Sequence, residues 1–159
     1  AIVIACFDDT GLDAVRTLMS VPVLGIGEAA YHAASMIANK FSVITTLSRS
    51  VPGLENNLMR YGLAQKCSRV RATEIPVLKL EEGDPATLDK IRSAIRASID
   101  EDNAEAIVLG CAGMADLMAQ LSEEFGLPVI DGVTAGVTFA EALVNNKLST
   151  SKSGAYSSN

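Results

Sequence analysis

Two cysteines each follow an apolar run that predicts a buried strand. Cys6 comes directly after residues 1–5, and Cys111 comes directly after residues 104–110. A cysteine between a strand and the next helix faces backbone N–H groups and the positive end of the helix dipole, and both lower the pKa of a thiol. One such thiol suggests a nucleophile, whereas two in matching positions suggest an acid and a base that face one site. The alternative, a small buried apolar residue, suits a single cysteine better than a matched pair.

Small and hydroxylated residues accompany these strand ends. Thr45 and Thr46 close a third apolar run, and Gly110, Ala112 and Gly113 surround the second cysteine. Loops of this composition expose backbone amides, which bind carbonyl or carboxylate oxygens and stabilise an enolate. Ordinary turn chemistry between a strand and a helix is the alternative explanation.

The remaining reactive residue types predict no second site. Cys67 lies in AQKCSRV with no apolar run before it, so we interpret it as structural. His32 is the only histidine and lies in a predicted helix, so no Cys–His pair and no zinc-ligand spacing is present, and we predict no metal. Three aspartates, at 8, 9 and 131, fit caps or solvated loops, although Asp8 lies close enough to Cys6 to affect it.

A pair of glycines at a strand–helix junction is similar to the start of a dinucleotide-binding loop. Gly25 and Gly27 match the first two glycines of that motif. Position 30 is alanine instead of the third glycine, and no acidic residue closes a second strand at the required place. The sequence therefore argues against a bound NAD, and no cofactor is predicted.

Strand-like and helix-like segments alternate along the whole chain. Predicted strands cover residues 1–5, 21–27, 41–46, 69–80, 104–110 and 127–132. Predicted helices fall within residues 11–20, 28–40, 54–62, 84–102, 111–126 and 133–147. This alternation is typical of an α/β protein with parallel sheets, whose ligands bind at the carboxyl ends of the strands. Both cysteines of the matched pair lie at that end.

Several details of these elements are specific enough to check. Asp84 is predicted as the N-cap of a helix with Pro85 in its first turn, and Gly126 as a helix C-cap. Pro76 lies within the strand predicted over 69–80 and favours an edge position for it. Residues 148–159 are polar and predict a loose C-terminal tail.

Composition restricts the class of protein and its partners. The chain has 159 residues, 48% of them hydrophobic and 4% aromatic, which is usual for an α/β domain or two small lobes. A net charge of −6 without a basic stripe argues against nucleic acid or an anionic membrane as partner. Three widely spaced cysteines do not form a disulfide framework, so a reducing cytoplasm is the predicted location.

Five blocks of the sequence, in order, resemble one family. They are IACFDDTGLDAVR, PVLGIGEAA, SVITTLSRSVPGLENNLMRYG, IVLGCAGMADL and PVIDGVTAGV. Together they resemble the hydantoin and allantoin racemases of the aspartate/glutamate racemase superfamily, over nearly the whole chain. The resemblance implies two pseudo-symmetric α/β lobes with the active site at their interface. Residues 1–40 with 133–147 would then form the first lobe, 41–132 the second, and 148–159 a polar tail.

The resemblance also implies a mechanism and a set of site residues. Cys6 and Cys111 stand at the two positions of the family's catalytic cysteines, which racemise a substrate by proton transfer without a cofactor. One thiolate would remove the proton at C5 of a 5-monosubstituted hydantoin or of allantoin, and the other thiol would protonate the opposite face. Six further residues would bind the substrate through backbone amides or hydroxyls: Phe7, Asp8, Thr45, Thr46, Ala112 and Gly113.

Two departures from the family pattern qualify this expectation. Family members carry an N-terminal strand and an Asn-Pro-Asn-type loop that this sequence lacks, so we expect part of the first lobe to be missing. Amino-acid racemases of the superfamily carry Asn-Thr and Thr-His after their cysteines, where this chain has Phe-Asp and Ala-Gly. That difference favours a neutral cyclic ureide as the small-molecule substrate. An amino-acid racemase, a maleate isomerase-like enzyme and a non-catalytic binding protein remain the alternatives, and the family implies a homo-oligomer.

Overall fold

Six strands and seven α-helices alternate in the computed structural model, which describes residues 1–81 and 84–157. The strands are β1 (Ile2–Ile4), β2 (Val23–Gly25), β3 (Phe41–Thr45), β4 (Cys67–Ala72), β5 (Ala106–Leu109) and β6 (Val129–Asp131). The helices are α1 (Leu12–Leu18), α2 (Ile26–Ile37), α3 (Val51–Arg60), α4 (Val77–Glu81), α5 (Pro85–Asp100), α6 (Met118–Phe125) and α7 (Gly132–Asn145). Short 3₁₀ turns cover Ser48–Ser50, Ala112–Leu117 and Gly154–Tyr156.

All strand pairs in the described residues are parallel and belong to two sheets. β1 and β2 form one sheet, and the other has the order β4-β3-β5-β6. Parallel strands need a crossover between them, and the alternating helices supply it. The prediction of an α/β fold with parallel sheets flanked by helices is therefore confirmed.

The central strands are apolar on both faces because helices cover the four-stranded sheet on both sides. Alternate residues of a strand point to opposite faces. Val43 and Val108 face the core that contains α2 and α3, whereas Ile44 and Ile107 face the core that contains α5 and α6. Continuous apolar runs such as AIVL are the consequence, since neither face meets water.

Helix ends agree with the cap residues expected from the sequence. The Asp84 side chain accepts a hydrogen bond from the N–H of Ala86 at 3.1 Å, with Pro85 as the first residue of α5. Gly126 adopts φ +65° after α6, a left-handed conformation that side chains disfavour. Both cap predictions are confirmed. Within residues 1–81 and 84–157, no helix is both long and apolar enough to cross a membrane.

The segment predicted as a strand over 69–80 is only partly a strand. β4 begins at Cys67 and ends at Ala72, and residues 77–81 form α4 instead. Pro76 therefore lies outside the strand, directly before α4, where its carbonyl accepts a hydrogen bond from Lys79 N–H at 2.9 Å. β4 does lie at the sheet edge, although not because of the proline.

The described part of the C-terminal tail is attached, and the prediction of a loose tail is wrong there. Lys152 Nζ donates to the free carbonyls of Arg16 and Thr17 near the end of α1, at 2.7 and 2.8 Å. The Tyr156 hydroxyl donates to Asp13 on the same helix at 3.0 Å. A cation at a helix C-terminus also interacts favourably with the negative end of the helix dipole. Residues 158 and 159 of the predicted tail lie outside the described residues.

Helix α7 packs against elements that are distant from it in sequence. It contacts α2 most extensively, and it also contacts β1 and β2. This packing is compatible with grouping residues 1–40 and 133–147, but the division into lobes stays a prediction.

Gly53 is a glycine within a helix, and its replacement tests how glycine affects the stability of the protein. It lies exposed in the first turn of α3, and a Cβ added there would meet no atom within 4 Å. We expect Gly53→Ala to raise the free energy of unfolding by about 0.4–1 kcal/mol, because alanine lowers the entropy of the unfolded chain. Urea denaturation followed by circular dichroism measures this change. A loss of stability would show that α3 does not hold a helical conformation at this position.

Candidate active site

One cavity lies beyond the carboxyl ends of strands from both sheets. Its volume is about 330 Å³, and its walls come from the segments that follow β1, β3 and β5. All eight residues predicted as site residues line it: Cys6, Phe7, Asp8, Thr45, Thr46, Cys111, Ala112 and Gly113. A larger depression of about 520 Å³ between β4 and α5 is lined by Arg71, Asp89 and Lys90 but by no cysteine. The reactive side chains therefore single out the smaller cavity.

The two thiols of the cavity differ in their surroundings. Cys6 is exposed and Cys111 is half-buried. Burial raises the pKa of the Cys111 thiol, the Gly113 N–H lowers it by donating a hydrogen bond to sulfur, and negative charge on Cys6 or Asp8 raises it again. The prediction of a lowered pKa is therefore wrong for Cys111, since burial outweighs the backbone donor. Both cysteines line the same cavity.

Cys67 lies away from the cavity, in agreement with its structural interpretation. It begins β4 and packs against the core that contains α2 and α3. Burial raises the pKa of its thiol to about 12. The neutral thiol thus behaves as a small apolar residue at neutral pH.

The turn from Cys6 to Asp9 brings one wall of the cavity into place. The Phe7 side chain is buried, with its ring edge-on to Tyr31 at 5.4 Å, so only its backbone faces the cavity. The Asp8 carbonyl accepts a hydrogen bond from the Asn57 side chain of α3 at 2.8 Å. Within the part of the chain that the structure describes, the N–H groups of Phe7 and Asp8 have no acceptor. These two donors are available to a bound molecule.

Asp9 closes this turn and explains why positions 25 and 27 are glycines. Its buried carboxylate accepts hydrogen bonds from the N–H groups of Gly27 at 3.0 Å and Glu28 at 2.7 Å, at the N-terminus of α2. A Cβ on Gly25 or Gly27 would overlap this carboxylate. The helix N-terminus is therefore capped by the protein itself, which gives a physical reason against a dinucleotide there.

Burial and hydrogen bonding act on the Asp9 carboxyl in opposite directions. Burial raises its pKa above the usual value, and the bonds donated by Tyr61, Glu28 and Gly27 oppose that rise. The Asp131 carboxylate plays the corresponding local role at α7, where it accepts the Thr134 N–H at 2.8 Å. Asp9 and Asp131 are thus helix caps, which is one of the two roles that the sequence leaves open for them.

The threonines supply the wall below β3. Thr45 is 1% exposed, and its hydroxyl donates to the Gly110 carbonyl at 3.3 Å, which joins the ends of β3 and β5. Thr46 is also buried, and its carbonyl accepts the Ile75 N–H at 3.1 Å. The Thr45 hydroxyl proton is therefore already used within the protein.

The wall after β5 is a 3₁₀ turn that begins at Ala112. The Met114 N–H donates to the Cys111 carbonyl at 3.0 Å, and the Gly113 N–H points to the Cys111 sulfur. A Cβ on Gly113 would come within 3.2 Å of Leu80, so the absence of a side chain keeps α4 close to the cavity.

Six residues of the cavity were not predicted as site residues. They are Ala5, Leu47, Arg49, Ser50, Val77 and Gly110. Arg49 is exposed and forms no ion pair among the described residues. No residue pattern marked Val77, because it lay within a segment predicted as a strand. Arg49 could have been predicted, because it lies four residues after Thr45, which ends β3.

The three thiols are expected to react at different rates. With iodoacetamide at pH 8, we expect Cys6 to be alkylated first, Cys111 second and Cys67 last, since exposure and thiolate fraction control the rate. Peptide mass mapping at several time points measures the order. If Cys67 reacted first, the assignment of the reactive cavity would be wrong.

The chain is similar to known proteins in both sequence and structure. A family model described as Asp/Glu/Hydantoin racemase matches residues 1–140. A hydantoin racemase from Rhizobium meliloti is 51% identical over 98% of this chain, and one from Pseudomonas sp. (strain NS671) is 45% identical over 98% of it. The chain spans only 65% and 63% of the lengths of these two proteins.

Solved structures give the same picture of the fold. Allantoin racemase from Klebsiella pneumoniae has a TM-score of 0.95 and is 45% identical, with 99% of this chain and 64% of that chain covered. A glutamate racemase from Bacillus anthracis has a TM-score of 0.66 at 22% identity, with 91% and 57% covered. The second likeness concerns the fold alone.

Proposed function

Because the chain belongs to the Asp/Glu/hydantoin racemase family, we propose that the full-length protein racemises 5-monosubstituted hydantoins or allantoin with Cys6 and Cys111 as acid and base. The observation that carries this proposal is the meeting of the two thiols in one cavity, although they follow strands of different sheets. The activities named for the hydantoin and allantoin racemases above support the substrate class. The sequences after the two cysteines favour a cyclic ureide over a free amino acid.

The proposed reaction removes one proton from C5 of the substrate and adds one proton to the opposite face of C5. A thiolate removes the proton from C5, and the electron pair of that C–H bond moves into an enolate with the adjacent C4 carbonyl. The second thiol then donates its proton to the opposite face of C5 and becomes the thiolate. The net charge of the site is unchanged, and two bases on opposite faces serve both enantiomers. The C4 carbonyl acidifies the C5 proton, so the step requires no cofactor.

The cavity offers groups that suit the developing negative charge. The free N–H groups of Phe7 and Asp8 are backbone donors, which stabilise an oxyanion without reorganisation. Arg49, in the segment that follows β3, adds a cationic residue to the lining of the same cavity. Thr45, Thr46, Ala112 and Gly113 complete the wall around the ring in this proposal.

The electrostatics of the two thiols match the protonation states that the reaction needs. A racemase of this kind requires one thiolate and one thiol at the same time. Negative charge on Cys6 raises the pKa of Cys111, so a second ionisation is disfavoured once the first has occurred. Cys111 therefore keeps its proton more readily while Cys6 is charged, which suits a role as the acid.

Two properties of the whole protein belong to the same proposal. The family supports a homo-oligomer, and the absence of a disulfide framework among three cysteines supports a reducing cytoplasm.

The test uses the full-length protein in D₂O with EDTA. A single enantiomer of 5-benzylhydantoin, and in a separate assay of allantoin, is added while optical rotation and the C5 proton signal are followed together. We expect both to be lost well above the uncatalysed rate, and the faster substrate identifies the preferred C5 substituent. A loss of activity with EDTA that metal restores would overturn the cofactor-free mechanism. Inactivity with both substrates would overturn the proposal and favour an amino-acid substrate or a binding protein.

A further inference from the structure

Asp9 makes three side-chain hydrogen bonds between the turn that carries Cys6 and the rest of the protein. The Asp9 N–H donates to the Cys6 carbonyl at 3.0 Å, which closes the turn. The carboxylate then accepts three hydrogen bonds, from Gly27 N–H, Glu28 N–H and, at 2.8 Å, the Tyr61 hydroxyl. This side chain joins the turn to α2 and to the end of α3, in addition to the Asn57 bond to the Asp8 carbonyl and the packing of Phe7 on Tyr31.

The surroundings of Asp9 are shaped to its carboxylate. Gly25 and Gly27 leave the space that it occupies, and a Cβ on Gly27 would also overlap the Phe7 carbonyl. The residue is 4% exposed and has φ +52°, a left-handed conformation that aspartate and asparagine adopt more readily than other side chains. Three features therefore concern Asp9: the two glycines leave space for it, its backbone is left-handed, and three donors bind its carboxylate.

Cys6 itself has few means of fixing its own position. Its side chain is exposed, and in the described residues no hydrogen bond to its sulfur is present. Cys111, by contrast, has a backbone donor at its sulfur and a half-buried position. A displaced Cys6 would lose its alignment with a substrate, and a shift of about 1 Å can cost 10²-fold in rate.

We propose that Asp9 is the positioning residue of the first acid/base group: its carboxylate joins the Cys6 turn to α2 and Tyr61 and so holds the Cys6 sulfur at the cavity. This inference rests on the proposed function, in which Cys6 transfers a proton. Asp9 does not line the cavity and acts only through Cys6 and the neighbouring backbone. Cys111 belongs to a different sheet and does not depend on this attachment.

The test compares Asp9→Asn with Tyr61→Phe in the full-length protein. Asparagine keeps the shape and the left-handed conformation but places an N–H₂ group where the carboxylate accepts hydrogen bonds. Tyr61→Phe removes only one of the three donors and leaves the turn unchanged in sequence. Asp131→Asn is the matched control, because it makes the same change at a helix cap that is bonded to Thr134 and not to the Cys6 turn.

The first readout is the fate of each enantiomer in D₂O. We expect Asp9→Asn to lower racemisation about 10- to 100-fold. The enantiomer that Cys111 deprotonates should still exchange its C5 proton and return without inversion, whereas exchange of the other enantiomer should fall with racemisation. A merely destabilised protein would lose both exchanges equally. Tyr61→Phe should show the same asymmetry to a smaller extent, and Asp131→Asn should show none.

The second readout does not require catalysis. The rate of Cys6 alkylation, divided by that of Cys111 in the same sample, should change at least threefold in Asp9→Asn and remain at the wild-type value in Asp131→Asn. Unchanged ratios and unchanged exchange in both Asp9→Asn and Tyr61→Phe would overturn the inference, as would an equal effect of Asp131→Asn. If the wild-type protein did not racemise, the proposed function would fail, and the alkylation ratio would still decide the role of Asp9.

Discussion

Replacement of either Cys6 or Cys111 by serine in the full-length protein is expected to abolish most of the racemisation, with a loss of about 10²- to 10⁴-fold. A serine hydroxyl is a far weaker acid than a thiol, so it neither forms the base nor supplies the proton at neutral pH. Both thiols line the same cavity, and in the proposed mechanism each performs one half of the transfer. Optical rotation with the preferred substrate measures the loss.

The two variants should differ in what remains. Each retains one thiol, so each should still exchange the C5 proton of one enantiomer in D₂O, and the two variants should act on opposite enantiomers. Cys67→Ser is the control, since that residue lies outside the cavity, and its activity should stay close to that of the wild type. A protein that bound the substrate equally well in both variants and never exchanged the proton would be a binding protein.

Tyr31→Ala is expected to have the largest effect on stability, a loss of about 3–5 kcal/mol. Tyr31 is 0% exposed and lies on α2, where its ring contacts Phe7 at 5.4 Å, Phe41 at 6.2 Å and Tyr61 at 6.2 Å. Alanine would leave a cavity between the Cys6 turn, β3 and α3. Urea denaturation measures the change, with the midpoint and the slope fitted separately.

Tyr31→Phe separates the ring from its hydroxyl. The Tyr31 hydroxyl is buried and, within the described residues, has no hydrogen-bond partner. A buried polar group without a partner costs about 1–3 kcal/mol, so its removal is expected to leave stability unchanged or higher. A loss comparable to that of Tyr31→Ala would show that the hydroxyl has a partner in solution and that the ring contacts are not the main contribution.

The sequence was sufficient for the alternation of strands and helices because its periodic signals are strong. Buried parallel strands are short apolar runs, and residues 41–46 and 104–110 are clear examples. The prediction of a strand over residues 69–80 was only partly correct, because the apolar residues around Pro76 fit a strand and a short helix equally well. The attachment of the tail could not be predicted, because it depends on carbonyls of α1 that come close only in the folded chain.

The candidate site shows a similar limit. Strand-end position placed Cys6 and Cys111 together, since ligands of parallel sheets bind where strands end. The direction of the Cys111 pKa shift was mispredicted because sequence shows the helix that follows but not the burial that outweighs it. The function of Gly25 and Gly27 also escaped prediction, because the carboxylate that they accommodate lies 16 or more residues earlier in the chain.

The unequal exposure of Cys6 and Cys111 has a kinetic consequence for a racemase. Mirror-image substrates have the same free energy in water, so the Haldane relation requires kcat/KM to be equal for the two enantiomers. Burial raises the pKa of the Cys111 thiol, whereas the Cys6 side chain is exposed, so the two halves of the proposed transfer take place in different surroundings. Any difference between the enantiomers that results must then change kcat and KM by the same factor. In a racemase with such a pair of thiols, the enantiomer with the higher kcat would also have the higher KM, and neither direction would be favoured.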